Sequence, residues 1–223
     1  MDNVDLMKKN ILYQLLSLIV LLPLKKIIQL ILENPYFFKI QQKLNNYQVL
    51  TNEFKDYLNI QNRKILEVGC STGNAAQAII NMNDNDYYGI DTSEKYIQIA
   101  SQNISKGKFY QMDASKLDFK NQFFDMLLIS SVLHHMDDQT CKNCFNEAFR
   151  VLKNNGKVII SEPIIDQNRI ISKILCKLDR GNHIRTPEEY KLLFMNFSIE
   201  KSNLFRFGGH SFCSFILNKD KKA

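Results

Sequence analysis

A short turn that contains two glycines constrains the fold of this chain more than any other feature. Residues 67–74 read EVGCSTGN and directly follow the apolar pair Ile65-Leu66. Gly69 and Gly73 lack a Cβ atom, so the backbone can turn tightly there and approach a ligand closely. The helix that begins after the turn has free N–H groups at its N-terminus. The segment therefore predicts a strand–turn–helix unit with a nucleotide-type ligand site.

Further apolar segments follow at the spacing of a parallel sheet. The second and third predicted strands end in acids, Asp91 and Asp113, and the fourth ends in small polar residues at Ser130. Predicted helices alternate with the strands, which favours an α/β domain with helices on both faces of the sheet. Because the carboxyl ends of parallel strands meet at one edge, we expect these acids and the serine to lie beside the glycine turn.

The element boundaries follow from periodicity, caps and turn residues. Ser93 is a suitable N-cap, and Thr186-Pro187-Glu188-Glu189 reads as a capping box with proline at the first helical position. Besides the strand before the glycine turn, we predict strands over 87–91, 109–114, 124–131, 157–162, 197–207 and 211–218. We predict helices over 74–81, 93–104, 139–152 and 187–195.

Five motifs carry a resemblance to a known family. In chain order they read EVGCSTG, GIDTS, QMDAS, FDMLLISSVLHHM and RVLKNNGKVIISEP. Together they resemble the class I S-adenosylmethionine (SAM)-dependent methyltransferases, and more narrowly the small-molecule group called type 11 methyltransferase domains. The motifs cover residues 63–163 and the outline extends to residue 218. Ser71 stands where many members carry a glycine. The resemblance implies a doubly wound, seven-stranded, mostly parallel sheet that ends in an antiparallel hairpin.

The resemblance also implies SAM as the cofactor and a set of residues that hold it. The first-strand acid and the glycine turn hold the methionine part, and the second-strand acid binds the ribose hydroxyls. The end of the third strand contacts the adenine, and the end of the fourth lines the floor beneath the methyl group. For the acids of the second and third strands, helix capping is the simpler alternative. The implied cofactor-binding residues are Glu67, Gly69, Cys70, Gly73, Asp91, Thr92, Asp113, Ala114 and Ser130.

Three other ligand classes are disfavoured. A dinucleotide site requires Gly-x-Gly-x-x-Gly, whereas three residues separate Gly69 from Gly73. A nucleic-acid substrate is not expected, because the chain has neither an Asn/Asp-Pro-Pro-aromatic box after the fourth strand nor a basic stripe interleaved with aromatic residues. Cys141 and Cys144 form a C-x-x-C in a predicted helix without a second such pair, so no metal is predicted.

Composition limits the fold class of the chain and the cellular compartment in which we expect it. The chain has 223 residues, which fits one α/β domain with an appendage. The net charge of +6 permits an anionic ligand or a membrane surface as a partner but does not require one. Five cysteines form an odd set without a disulfide framework, which predicts a reducing, cytoplasmic location. The sequence sets no oligomeric state.

The N-terminal part predicts a helical cap over residues 1–62, before a methyltransferase domain over residues 63–223. The apolar run 11–24 is shorter than the roughly 20 residues that cross a bilayer, and Lys25 and Lys26 follow it. Three interpretations stay open: a lid over the substrate pocket, plain packing on the flank of the domain, and peripheral membrane contact through residues 11–32.

Methyl transfer from a sulfonium is an in-line displacement, so an enzyme mainly has to align the acceptor with the methyl group. A general base is needed only when the acceptor carries a proton. Three candidate catalytic residues are His135 after the fourth predicted strand, Glu162 at the end of the fifth, and His183 in the polar insertion 179–185. In the same insertion, Arg180 and Arg185 are either anion-binding side chains or solvated surface charges. The resemblance thus implies transfer to a small-molecule acceptor, at oxygen, with carbon and nitrogen left open as acceptor atoms. The alternatives are a membrane-associated enzyme with a lipid or quinone-like acceptor, and a SAM-binding module without turnover.

Overall fold

Seven strands form a single sheet. The computed structural model describes residues 54, 57–58, 60–73, 85–166, 169, 172, 176, 181–207 and 210–219. The strands are β1 (Lys64–Val68), β2 (Asp86–Asp91), β3 (Lys108–Gln111), β4 (Phe124–Ser130), β5 (Leu152–Ile164), β6 (Phe197–Phe207) and β7 (His210–Lys219). The described helices are α1 (Glu94–Asn103), α2 (Asp138–Val151) and α3 (Pro187–Lys191), with a 3₁₀ turn at Leu133–His135.

The strand order is β3-β2-β1-β4-β5-β7-β6. β1 to β5 run parallel, and β7 pairs antiparallel with both β5 and β6. The order reverses between β1 and β4, which is the arrangement of a doubly wound sheet and places ligand sites at the carboxyl ends of these strands. The predicted fold class, a doubly wound, mostly parallel sheet of seven strands with a C-terminal hairpin, is confirmed.

Alternate side chains of the central strands pack into two separate cores, one on each face of the sheet. On β4, Leu127 and Ile129 join the core that contains α2, whereas Met126 and Leu128 join the opposite core. Such two-sided burial explains why the strand reads as a continuous apolar run and not as an alternating one. Every one of these four side chains is at most 4% exposed.

α1 and α3 begin at the capping residues that the sequence predicts, and α2 begins after a cap that it does not, Asp137. Ser93 accepts a hydrogen bond from Tyr96 N at the start of α1. Asp137 does the same for Thr140 N at α2. At α3 the predicted capping box is complete, because Thr186 and Glu189 satisfy each other's backbone N–H groups.

Several boundaries differ from the prediction. β3 ends at Gln111, short of the predicted end at residue 114, and the Asp113 side chain beyond it turns back to accept from Ser115 N. β5 begins at Leu152, which pairs with Phe124 beyond a register shift in the ladder. α3 ends at Lys191, short of residue 195.

Two predictions lie outside the described residues: the helix over 74–81 and nearly all of the cap over 1–62. Phe54 and Leu58 are described, are helical, and pack into the core that contains Ile65 and Tyr87. In the described part of the chain, no helix combines the length and the apolar character that crossing a membrane requires.

Candidate functional site

The glycine turn after β1 has a left-handed backbone at three positions. Gly69, Ser71 and Gly73 have φ angles of 70°, 48° and 77°. A Cβ on Gly69 would lie 2.4 Å from Val132 Cγ2, and one on Gly73 would lie 2.7 Å from Ile104 Cδ1. Both glycines are therefore required by backbone conformation and by close packing against the rest of the domain. Close approach of a ligand, the reason predicted from the sequence, stays a prediction.

Cys70 lies inside this turn and helps to close it. Its N–H donates to Ile90 O on β2, and its carbonyl accepts from Gly73 N, both at 2.9 Å. The thiol is buried, and burial raises the pKa of Cys70 far above its ordinary range. The side chain therefore contributes packing rather than charge.

The Asp91 carboxylate ties the turn to the start of α1. Its Oδ2 accepts from Ser71 N at 3.0 Å, and its Oδ1 accepts from Ser93 N at 2.8 Å. The capping geometry that was the simpler alternative is thus present. Each carboxylate oxygen accepts more than one hydrogen bond, so the same group is also suited to ribose hydroxyls. Asp91 lies at the carboxyl edge of the sheet, as predicted.

Glu67 is buried within the first strand instead of lying open at its end. It is 2% exposed and accepts a short hydrogen bond from the hydroxyl of Tyr87. Burial raises the pKa of Glu67, the Tyr87 hydrogen bond lowers it and the nearby Asp91 charge raises it, with a net value of about 8. At neutral pH the carboxyl is therefore mainly protonated, a state that a neighbouring cation would reverse. No sequence pattern predicts the hydrogen bond between Tyr87 and Glu67.

Ser71 provides an observation on whether the turn fits SAM. Its Oγ is buried and has no hydrogen-bond partner among the described residues. Buried polar groups are rarely left unpaired, and such an atom suits a ligand with its own donors and acceptors. SAM carries an ammonium, a carboxylate and a ribose diol. Ser71, Asp91 and Glu67 supply groups complementary to these, so the residues present fit the cofactor.

The residues predicted to hold the adenine follow β3 at the same edge. Asp113 is exposed and Ala114 is buried, and Met112 N donates to Asp91 O at 3.0 Å, which holds this segment next to β2. Thr92 is exposed, and its carbonyl accepts from Gln111 Nε2 at 3.1 Å. The structure therefore brings the predicted residues of the second and third strand ends together.

The end of β4 leads into a constrained loop. Ser130 is half-buried, and Ser131 is exposed with a φ of 56°, a conformation that side chains disfavour. Ser131 N donates to Ser161 O at 2.8 Å, so the loop starts in register with β5. Ser130 lies at the carboxyl edge, as predicted for the floor of the site.

Glu162 at the end of β5 lies inside the protein. It is fully buried, and its Oε1 accepts from Val132 N and Leu133 N at 2.8 Å each. Its Oε2 lies 2.8 Å from His134 Nδ1. The sequence predicted a side chain that reaches the substrate, but the structure turns this carboxylate towards the loop after β4, because the N–H groups of that loop surround it.

His135 and His183, the other candidate catalytic residues, are both exposed near the same loop. His183 N donates to His134 O at 3.0 Å, and the rings of His134 and His135 lie 4.1 Å apart between centroids. The structure thus brings the two predicted histidines to one region, although they are far apart in sequence. Arg185, which the sequence suggested as an anion-binding side chain, is instead 7% exposed and donates to protein carbonyls.

The cysteine pair on α2 shows no sign of a metal site. Cys141 and Cys144 are buried, and burial raises the pKa of Cys141 to about 11 and that of Cys144 to about 12. Thiols must lose their proton to bind a metal. Within the residues that the structure describes, no three His, Cys, Asp or Glu side chains are grouped in a way that could hold a metal ion.

Comparison with known proteins agrees with this geometry. Residues 65–156 match the family model described as a methyltransferase domain. Demethylmenaquinone methyltransferase of Thermotoga maritima is 27% identical over 106 residues, which cover 47% of this chain and 45% of that protein. The O-methyltransferase rstn1 of Aspergillus nomiae is 32% identical over 124 residues, which cover 52% of this chain and 54% of that protein. The chain spans about half the length of these curated relatives.

A solved structure extends the likeness to the fold. The PH0226 protein from Pyrococcus horikoshii superposes with a TM-score of 0.65 at 20% identity, over 78% of this chain and 89% of that one. At this identity the likeness concerns the fold alone. Residues 65–156 are therefore a class I methyltransferase domain, the cofactor of which is S-adenosyl-L-methionine. This follows from the strand order of the sheet, the hydrogen-bonded glycine turn and the matching family model.

Proposed function

We propose that this protein transfers the methyl group of SAM to a small-molecule acceptor, with oxygen as the acceptor atom. The observation that carries the proposal is the Asp91 carboxylate, which joins the N–H of Ser71 in the glycine turn to the start of α1. A carboxylate at this strand end is suited to the hydroxyls of a ribose, and the same turn holds the buried Ser71 hydroxyl, which has no partner among the described residues. The O-methyltransferase named above supports oxygen as the acceptor atom.

The bound cofactor supplies an electrophilic methyl group on a good leaving group, so the protein's task is alignment. Asp91 and Asp113 orient the nucleoside from two strand ends, and Ser130 forms the floor of the site. A hydroxyl acceptor has to lose its proton, for which the exposed imidazoles of His135 and His183 are the candidate bases. A carboxylate acceptor needs no base.

A panel of small hydroxylated, carboxylated and amine acceptors, assayed with isotopically labelled SAM, tests the proposal. With the label in the methyl group of SAM, the expected result is a labelled product from one acceptor class and an equal amount of unlabelled S-adenosylhomocysteine. His135→Ala and His183→Ala, compared over pH 6–9, identify the base. Tight SAM binding without transfer to any acceptor would favour a binding module without turnover and contradict the proposal.

A second candidate is a membrane-associated enzyme with a lipid or quinone-like acceptor. Two observations favour it: the similarity to a demethylmenaquinone methyltransferase and the apolar run in residues 11–32. Cofractionation with anionic liposomes separates the two candidates, since a soluble small-molecule enzyme stays in the supernatant. The cytoplasmic location inferred from the cysteines is part of the same proposal, with peripheral membrane contact as its variant.

A further inference from the structure

Two charged side chains hold the loop after β4 from opposite sides. We call residues 131–136 the β4 loop. Glu162 holds its beginning, with hydrogen bonds of 2.8 Å from Val132 N, Leu133 N and His134 Nδ1 and a longer contact of 3.4 Å from His134 N. A fully buried carboxylate that accepts several charge-assisted bonds fixes the positions of its donors.

Arg185 holds the end of the same loop through its carbonyl groups. Its guanidinium donates to Leu133 O at 3.0 Å and to Met136 O at 2.8 Å. It also pairs with Asp138 at 2.7 Å, at the first residue of α2. Arg185 is 7% exposed. Removing such a charge from water is costly, and its planar fork of donors matches the spread of these acceptors.

The β4 loop lies between the cofactor turn and the polar insertion. On one side, the Val132 side chain packs so closely on Gly69 that a Cβ there would lie 2.4 Å away. On the other, a Cβ on Gly181 would lie 2.0 Å from His134 Cδ2. The loop therefore determines how far the cofactor turn is from the segment at residues 181–185.

We propose that Glu162 and Arg185 are positioning residues, which hold the β4 loop so that Ser131 and His135 face the methyl acceptor at a fixed distance from the cofactor turn. Both of these side chains are exposed, and Ser131 has a strained φ of 56°. The inference rests on the proposed function and deepens it, because it assigns the acceptor side of the site to this loop. Glu162 then acts through the loop rather than on the substrate.

The variants Glu162→Gln and Arg185→Lys test the inference, with Glu147→Gln as a matched control. Glu147 also accepts a backbone N–H, from Leu117, and pairs with an arginine, but it lies on α2 away from the carboxyl edge. The measurements are amide hydrogen exchange of residues 131–136, the SAM dissociation constant by calorimetry, and kcat and KM with the acceptor found in the panel.

In Glu162→Gln and Arg185→Lys we expect exchange in the β4 loop to accelerate about 10-fold or more. kcat should fall roughly 10- to 100-fold, because small misplacements of reacting groups are costly. The SAM dissociation constant should stay within about threefold of the wild-type value. A general loss of stability does not lower kcat while leaving SAM binding intact. Glu147→Gln should show neither the faster exchange nor the loss of kcat. Arg185→Lys retains the charge and serves as the second variant if Glu162→Gln does not fold.

Unchanged loop exchange and unchanged kcat in both variants would overturn the inference, as would equal effects in the Glu147→Gln control. Failure of the proposed function looks different, because the wild-type protein would then not bind SAM or transfer a methyl group. The hydrogen-exchange measurement needs no methyl acceptor, so it shows independently whether Glu162 and Arg185 hold the β4 loop.

Discussion

Ser71 has a hydroxyl group at a backbone position that favours glycine. Its φ of 48° is left-handed, a conformation that costs roughly 1–2 kcal/mol for a residue with a side chain. Its Oγ is also buried without a partner among the described residues. Strain of this kind persists where another requirement outweighs it, and contact with the cofactor is such a requirement.

Two substitutions of Ser71 separate the effect of its backbone strain on stability from the effect of its hydroxyl group on SAM binding. Ser71→Gly should raise the free energy of unfolding by about 0.5–1 kcal/mol and weaken SAM binding by about 0.5–1.5 kcal/mol. Ser71→Ala should weaken binding equally without the gain in stability, because it retains the Cβ atom. Thermal melts and calorimetry measure the two effects. A glycine variant that binds SAM as tightly as the wild type does would show that the hydroxyl does not contact the cofactor.

Glu67 links cofactor binding to pH. In the folded protein its pKa is raised to about 8 from an ordinary 4.5. Between these values the unfolded chain loses the proton while the folded chain keeps it. The contribution of Glu67 to stability is therefore present below pH 4.5 and is lost as the pH rises towards 8.

If the ammonium group of SAM binds beside Glu67, it favours the carboxylate and lowers the pKa of this residue. Binding near pH 7 should then release most of one proton, and SAM affinity should rise from pH 6 to pH 8. Calorimetry in buffers of different ionisation enthalpy measures the release, and Glu67→Gln should abolish it. If the wild type and the variant release equal numbers of protons, Glu67 does not contact the methionine part of SAM.

At the scale of elements, the strands that end at the site are well predicted because they are apolar on both faces and end in polar residues. The hairpin of β6 and β7 also follows from its two extended runs. The errors occur where side chains at an element's end make contacts that a pattern does not reveal. β3 stops early, with Asp113 beyond it turned back to Ser115 N, and β5 starts early because Leu152 pairs with Phe124.

Gly181 tests how closely the polar insertion packs on the β4 loop. In Gly181→Ala the new Cβ would lie 2.0 Å from His134 Cδ2 and 2.7 Å from His134 O, so one segment has to move. We expect a loss of about 1–3 kcal/mol in the free energy of unfolding, measured with urea. The neighbouring exposed Asn182→Ala should change it by less than about 0.5 kcal/mol. An alanine variant as stable as the wild type would mean that the two segments are not in close contact.

At the scale of the whole molecule, the sequence predicts which residues meet at the carboxyl edge but not how they support one another. The topology of a doubly wound sheet brings Asp91, Asp113 and Ser130 together without any detail of side chains. The bonds from Glu162 and Arg185 to the β4 loop join residues 28 to 52 positions apart. No local pattern encodes such contacts, which is why Glu162 was predicted to reach the substrate.

The apolar N-terminal run concerns the whole molecule because it precedes every cofactor motif. Deleting residues 1–32 should leave the SAM dissociation constant unchanged and lower kcat/KM, because a lid excludes water and helps to align the acceptor. Calorimetry and steady-state kinetics measure the two effects. Unchanged turnover together with lost liposome binding would favour a membrane anchor instead. Complete unfolding would show that these residues belong to the core of the domain.

Calorimetric titration with SAM and with NAD, on the wild type and on Asp91→Asn, is the most direct test of the SAM site. We chose asparagine because it keeps an acceptor for a backbone N–H, while the charge is lost. Asp86→Asn is the control at the other end of the same strand, where the carboxylate pairs with Lys64 at 2.8 Å.

We expect the wild type to bind SAM at micromolar affinity and not to bind NAD. Asp91→Asn should weaken SAM binding by about 1–3 kcal/mol, because a charge-assisted bond to the ribose is lost, and Asp86→Asn should leave it unchanged. Tight binding of NAD without binding of SAM, or equal SAM affinity in the wild type and Asp91→Asn, would contradict a SAM site in which Asp91 binds the ribose.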